Sequence, residues 1–169
     1  MTQRIRIRPL GVDDEAAFIS AVKRSRSVHH PWVSPADSSE TFRAYLERME
    51  EPDSHAFLVC RADTDEIAGV VNITNVVLGP FCSGYLSYYV FASHERQGFM
   101  REGLKAVVRH AFEELGLHRL EANIQPGNEA SIAFVRSVGF EKEGYSPRYL
   151  KVGGEWRDHE RWAILGPEK

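Results

Sequence analysis

The sequence predicts one mixed α/β (α+β) domain, a mixed sheet with flanking helices, and three features carry that expectation. Segments with a two-residue hydrophobic period alternate along the chain with segments of helical period. A length of 169 residues suits one domain, residues 1–169, with a single continuous core. Apolar and charged fractions of 43% and 27% are those of a folded soluble chain and exclude disorder.

The elements follow in order. Arg4-Ile5-Arg6-Ile7-Arg8 alternates as a half-buried strand does. Asp13 offers a cap for a helix with Asp14 and Glu15 in its first turn, ending before His29-His30-Pro31. A second helix is expected from near Asp37, with Glu40 completing a capping box. Phe42, Tyr45, Leu46 and Met49 then form its apolar face. Phe57-Leu58-Val59-Cys60 and Ile67-Ala68-Gly69-Val70-Val71 read as paired strands around a polar turn. A further strand covers residues 85–91, and a long helix follows with Leu104, Val108, Ala111, Phe112 and Leu115 on one side, closed by Gly116. A short strand at residues 120–124 leads to a helix from Asn128 to Gly139. The last two strands turn at Gly153-Gly154, which brings the strand total to about seven.

Composition narrows the function. A net charge of −3 is too mild for a nucleic-acid footprint, while a slightly acidic surface suits a cationic acceptor. Cys60 and Cys82 lack metal or redox spacing; Cys60 reads as core, and no disulfide framework is expected. No apolar stretch is long enough to span a bilayer, and Met1-Thr2-Gln3-Arg4 leads into alternation rather than a signal core. The expected location is the cytoplasm, without membrane or direct nucleic-acid partners. Monomer and homodimer both stay open.

The most informative stretch is Arg96-Gln97-Gly98-Phe99-Met100-Arg101-Glu102-Gly103, between the strand ending near Phe91 and the long helix. A glycine-bearing turn there leaves backbone N–H groups unpaired at the positive end of a helix dipole, a seat for a phosphate or pyrophosphate. It fits neither the dinucleotide-binding Gly-x-Gly-x-x-Gly pattern nor the P-loop. Downstream come Asn128-Glu129-Ala130-Ser131-Ile132-Ala133-Phe134 and Val138-Gly139-Phe140-Glu141.

Together these segments resemble the GNAT superfamily of acyl-CoA-dependent N-acetyltransferases, whose patterns are Gln/Arg-x-x-Gly-x-Gly/Ala, then Asn-x-x-Ser and Gly-Phe. The resemblance is to the RimJ/RimL branch, which acetylates the N-terminal amine of ribosomal proteins. Gly144-Tyr145, Tyr149-Leu150 and Gly154-Glu155-Trp156-Arg157-Asp158-His159 are similar to that branch's final hairpin. The chain also departs from the pattern. Ser93 stands at the Gln/Arg position and Arg96 at the first glycine, leaving Gly98.

The resemblance implies a GNAT fold in which two neighbouring central strands splay and hold a thioester between them. Acetyl-CoA is the implied cosubstrate, with no metal; His94-Glu95 and His159-Glu160 each lack a second histidine at zinc-ligand spacing. Val90 is placed against the pantetheine arm, and Arg96, Gln97, Gly98, Met100 and Arg101 around the pyrophosphate, with Arg96 and Arg101 able to add charge-assisted bonds. Asn128 is either a plain N-cap or a CoA contact as well. Ser131 is the candidate acid for the leaving thiolate, since Val135 occupies the position of the family's frequent tyrosine. Asn123 stands where relatives carry a basic glutamate and would hold a water instead; Glu121 shares its face as a reserve. An N-terminal amine, with a pKa of roughly 7.7–8.0 against about 10.4 for lysine, needs less help to lose its proton. His29, Trp32, Tyr88 and Trp156 are expected around the acceptor, although turn anchoring and core packing explain them too. The implied acceptor is the N-terminal Ala or Ser amine of a ribosomal protein. A small amine is the enzymatic alternative, and a non-catalytic acyl-CoA-binding module the alternative of another kind.

Overall fold

The computed structural model describes residues 2–168; Met1, part of the amino-terminal reading above, lies outside the described residues. The sheet has seven strands: β1 (Ile5–Pro9), β2 (His55–Arg61), β3 (Ile67–Val77), β4 (Ser83–Val90), β5 (Arg119–Ile124), β6 (Glu141–Val152) and β7 (Glu155–Leu165). Their order is β1-β2-β3-β4-β5-β7-β6. Every neighbouring pair is antiparallel except β4 with β5. The helices are α1 (Glu15–Arg24), α2 (Arg26–His29), α3 (Ser39–Met49), α4 (Phe99–Glu113) and α5 (Glu129–Val138). The mixed α/β architecture expected from the alternating periods is the one observed.

Each face of the sheet buries its own cluster. Val59, Val71, Ile73, Leu86, Leu120 and Trp162 meet α4 and α5 on one side. Leu58, Cys60, Val70 and Phe91 meet Phe18 of α1 and Phe42 of α3 on the other. Covered on both faces, β2 reads as an unbroken apolar run instead of alternating.

Three boundaries differ from the sequence expectation, each for a local reason. Asp13 sits in a 3₁₀ turn, and α1 starts after Asp14. The Asp14 carboxylate accepts from Arg8 at 2.7 and 2.9 Å and from the Gly11 N–H at 2.8 Å, which fixes the chain ahead of the helix. The first helix does not run unbroken to His29. It breaks at Ser25, whose buried hydroxyl donates to the Ala21 carbonyl at 2.6 Å and accepts from the Ala92 N–H at 2.8 Å. The box on α3 is built by Ser38 and Thr41, one residue later than Asp37 and Glu40. Asp37 is drawn aside to Arg26 at 3.4 Å.

The pairing of β4 with β5 positions the site. It covers only Ser83, Gly84 and Tyr85 against Arg119, Leu120 and Glu121, after which the strands part. The rest of β4, from Leu86 to Val90, keeps β3 on one edge and has no β5 partner on the other.

Candidate active site

The parting strands open a cavity of about 890 Å³, walled by β4, the turn before α4, the first turn of α5 and the segment after α2. The Phe91 N–H donates to the Ala68 carbonyl at 2.8 Å. Alternation along an antiparallel edge then turns the N–H and C=O of Val90 away from β3, into the gap. His29, only 4% exposed, donates from Nε2 to that Val90 carbonyl at 2.7 Å. A carbonyl only accepts, so the bond fixes the Nε2–H tautomer. Nδ1 of His29 is enclosed, with no hydrogen-bond partner among the described residues.

The turn before α4 has the shape of an anion seat. Gly98 caps the helix at φ +83, and no side chain caps it, so the N–H groups of the first turn stay free for an anion. Ser93 and Arg96 also hold left-handed backbone, at φ +75 and +58. Arg96, at the pattern's first glycine position, thus holds a left-handed conformation that costs a non-glycine residue about 1–3 kcal/mol. Glu102 would oppose an anion in this turn, and Arg4 neutralises it, with Nε 2.6 Å from Oε1. Arg96, Gly98, Met100 and Arg101 line the cavity. Gln97 does not; its amide turns back to the Ser93 carbonyl at 2.6 Å and its own carbonyl accepts from Arg4, so it braces the turn.

On the opposite wall Asn128 caps α5, its Oδ1 accepting from the Ser131 N–H at 3.3 Å. The Ser131 hydroxyl lies 2.5 Å from that of Tyr88 on β4, and both residues line the cavity. Burial pushes the Tyr88 phenol far above its usual value, the Ser131 bond opposing weakly, so it remains a protonated donor. Sequence reasoning placed Tyr88 among the acceptor contacts and missed this pairing. Val135, where the resemblance places the family's frequent tyrosine, is fully buried, while the Tyr88 hydroxyl reaches Ser131 from β4. The signal available was Tyr88's place on the strand that faces the Asn-x-x-Ser turn.

Asn123 lies on β5 beyond the point of parting, opposite Arg161 of β7, but does not line the cavity; its Oδ1 is enclosed, with no partner among the described residues. Glu121 is held by Arg119, with oxygen and nitrogen 2.8 Å apart, and Arg119 also binds Glu143. That ion-paired carboxylate is a brace for the sheet rather than a free base. His29 and Trp32 line the cavity. Trp156 does not. It stands near the β6–β7 turn, opposite Lys151 and 60% exposed, because the hairpin carries it past the end of β5. Among the described residues no cluster of His, Cys, Asp or Glu has metal-holding geometry, and no helix is long and apolar enough to cross a membrane.

Residues 4–141 match the family model described as "Acetyltransferase (GNAT) domain". The chain belongs to the GNAT acetyltransferase family. It is 33% identical over 175 residues to the [ribosomal protein uS5]-alanine N-acetyltransferase of Escherichia coli, covering 99% of this chain and 90% of that one. Mycobacterium smegmatis RimJ, solved in complex with CoA-disulfide, superposes with a TM-score of 0.86 at 28% identity, over 95% of this chain and 81% of that one. A spermidine N-acetyltransferase from Vibrio cholerae, solved with CoA and spermine, gives a TM-score of 0.82 over 97% of this chain and 96% of its own, at 19% identity. That likeness shows the shared fold alone. The protein is therefore a GNAT acyltransferase with a splayed central sheet.

The buried histidine gives a testable pH dependence. Burial lowers the His29 pKa below its ordinary value, against a smaller opposing effect of the Val90 carbonyl. The unfolded chain, with His near 6.5, then binds more protons than the native one as pH falls. The stabilising contribution is complete above about pH 6.5 and is lost as pH drops through the folded value. Thermal midpoints measured from pH 7.5 to 5 should fall on the acid side. His29→Gln should flatten that fall, leaving the part due to His55, which burial shifts in the same direction. An unchanged acid slope in the variant would remove His29 as its source.

Proposed function

We propose that this GNAT enzyme transfers acetyl from acetyl-CoA directly to the N-terminal amine of a ribosomal protein beginning with Ala or Ser. The observation that carries the chemistry is the Tyr88–Ser131 hydroxyl pair facing the gap between β4 and β5. Similarity over nearly the whole chain to an enzyme named for uS5 alanine acetylation supports the acceptor.

The residues present fit the cosubstrate. The uncapped first turn of α4 and the cations of Arg96 and Arg101 suit a pyrophosphate. Acetyl-CoA supplies an acyl group activated as its thioester. The N–H of Val90, turned into the gap, donates to the carbonyl oxygen as negative charge develops there. As the amine nitrogen bonds the acyl carbon and the C–S bond breaks, the amine's proton leaves to a water oriented by Asn123. Ser131 gives its proton to the thiolate, and Tyr88 replenishes it across 2.5 Å.

The test is acetyl-CoA turnover, read by mass spectrometry, on peptides beginning Ala, Ser or Met and on free amines including spermidine. Acetylation at the N-terminus of the Ala and Ser peptides, at kcat/KM at least about tenfold above any free amine, is the expected result. Turnover confined to free amines would replace this acceptor with a small molecule.

A further inference from the structure

A second cavity of about 490 Å³ adjoins the first on the α1 and α3 side of the sheet, with Val33 and Tyr89 in both walls. Its volume lies in the range of ligand pockets, about 300–1,000 Å³. Its floor is polar in a way the core does not require. Asn72 of β3, 7% exposed, accepts at Oδ1 from the hydroxyl of Tyr45, itself 7% exposed. Among the described residues the Asn72 amide nitrogen has no hydrogen-bond partner, although the residue lines this cavity. With its oxygen already accepting from Tyr45, Asn72 has its two N–H donors left to offer a ligand. Arg48, above the Tyr45 ring at 5.7 Å, adds a second donor to the wall, and Asp37 is turned to Arg26. Such a floor asks for an acceptor oxygen.

Strand register sets how far that oxygen lies from the transfer point. Val90 pairs with Gly69, and Asn72 is three residues further along β3. At about 3.3 Å per residue the offset along the strand is about 10 Å. Asn72 and Tyr89 share one face of the sheet, with Val70, the partner of Tyr89, between them on β3. A chain entering over Tyr89 thus has its amine at the gap and a group about 10 Å behind it at Asn72. The carboxylate or amide of a single amino acid is too near its own amine to reach. An extended peptide, at about 3.3–3.6 Å per residue, brings the carbonyl of its second or third residue there. A polyamine has the length but no oxygen.

We infer that the Asn72 cavity is an acceptor subsite that binds a backbone carbonyl two to three residues behind the reacting amine, so that the enzyme selects peptides over amino acids and polyamines. This rests on the N-terminal acceptor reading proposed above. The experiment compares kcat/KM for alanine amide, an Ala-starting dipeptide amide and an Ala-starting tetrapeptide amide in wild type, Asn72→Asp and Tyr45→Phe. Asn72→Asp keeps the shape and the bond from Tyr45 but replaces the N–H donors with an acceptor.

In wild type the tetrapeptide should exceed alanine amide by at least about tenfold, the worth of one hydrogen bond. That ratio should collapse towards one in Asn72→Asp and fall part-way in Tyr45→Phe, where the amide loses its anchor. Binding of acetyl-CoA by each variant, read by calorimetry, shows that it has folded. A ratio near one in wild type, or a ratio that survives Asn72→Asp, overturns the subsite while leaving N-terminal acetylation standing. Turnover of spermidine with none of the three alanine compounds overturns both, and is told apart by the silence of wild type on every peptide.

Discussion

Ser131→Ala should lower kcat about 100-fold, the lower range for a positioned proton donor and equivalent to about 2.7 kcal/mol of barrier. The thiolate would then leave without its proton, or take it from Tyr88 across the space the serine vacates. Tyr88→Phe should cost a comparable factor, because in the proposed path the buried phenol replenishes Ser131 across 2.5 Å. Two hydroxyls acting as one relay are not additive, so the double variant should be little worse than either single one. Neither change touches the first turn of α4, so acetyl-CoA should bind all three with its wild-type dissociation constant. Steady-state kcat on an Ala-starting peptide, beside calorimetry, checks both halves. Full turnover by Ser131→Ala would remove it from the proton path.

That relay also marks where the sequence stops being legible. The alternating periods at Arg4-Ile5-Arg6-Ile7-Arg8 and the glycine turn at Gly153-Gly154 are local signals, and both elements form where they were read. So does the turn at Gly98, because an uncapped helix start between a strand and an amphipathic helix is written in consecutive residues. The hydroxyl pair is not. Tyr88 and Ser131 are 43 residues apart and meet because β4 and β5 part and α5 packs across the gap. An aromatic residue on a strand reads as core, which hides such a tyrosine from any period count. The bond from His29 to Val90 spans 61 residues and is illegible for the same reason. The break at Ser25 needed knowledge of Ala92, whose N–H holds the serine side chain out of the helical pattern. Trp156 was misplaced because a hairpin's length, not its composition, decides how far its end travels from the cleft.

Gly69 was read only as one residue of a strand, yet a single methyl group there should damage both stability and cofactor binding. A Cβ at Gly69 would lie 2.5 Å from the Tyr89 carbonyl oxygen and 2.3 Å from the Met100 sulfur. Met100 is flexible, but it sits in the first turn of α4 and has core on its other side. The Tyr89 carbonyl is backbone and yields only if β4 moves. Overpacking of this kind costs about 1–3 kcal/mol, so Gly69→Ala should lower the thermal midpoint by about 2–12 °C. The same displacement reaches Val90, the partner of Gly69 across the strands, and turns its N–H from the gap. Acetyl-CoA should therefore bind Gly69→Ala several-fold more weakly, by about the worth of one strand hydrogen bond. Gly11→Ala is the matched control: its backbone lies at φ −134, and the nearest atom to the new Cβ is 3.7 Å away. An alanine there reduces the freedom of the unfolded chain without touching the fold, so its midpoint should hold or rise slightly. If both variants melt and bind like wild type, the close approach of β3, β4 and α4 at Gly69 does not constrain the site.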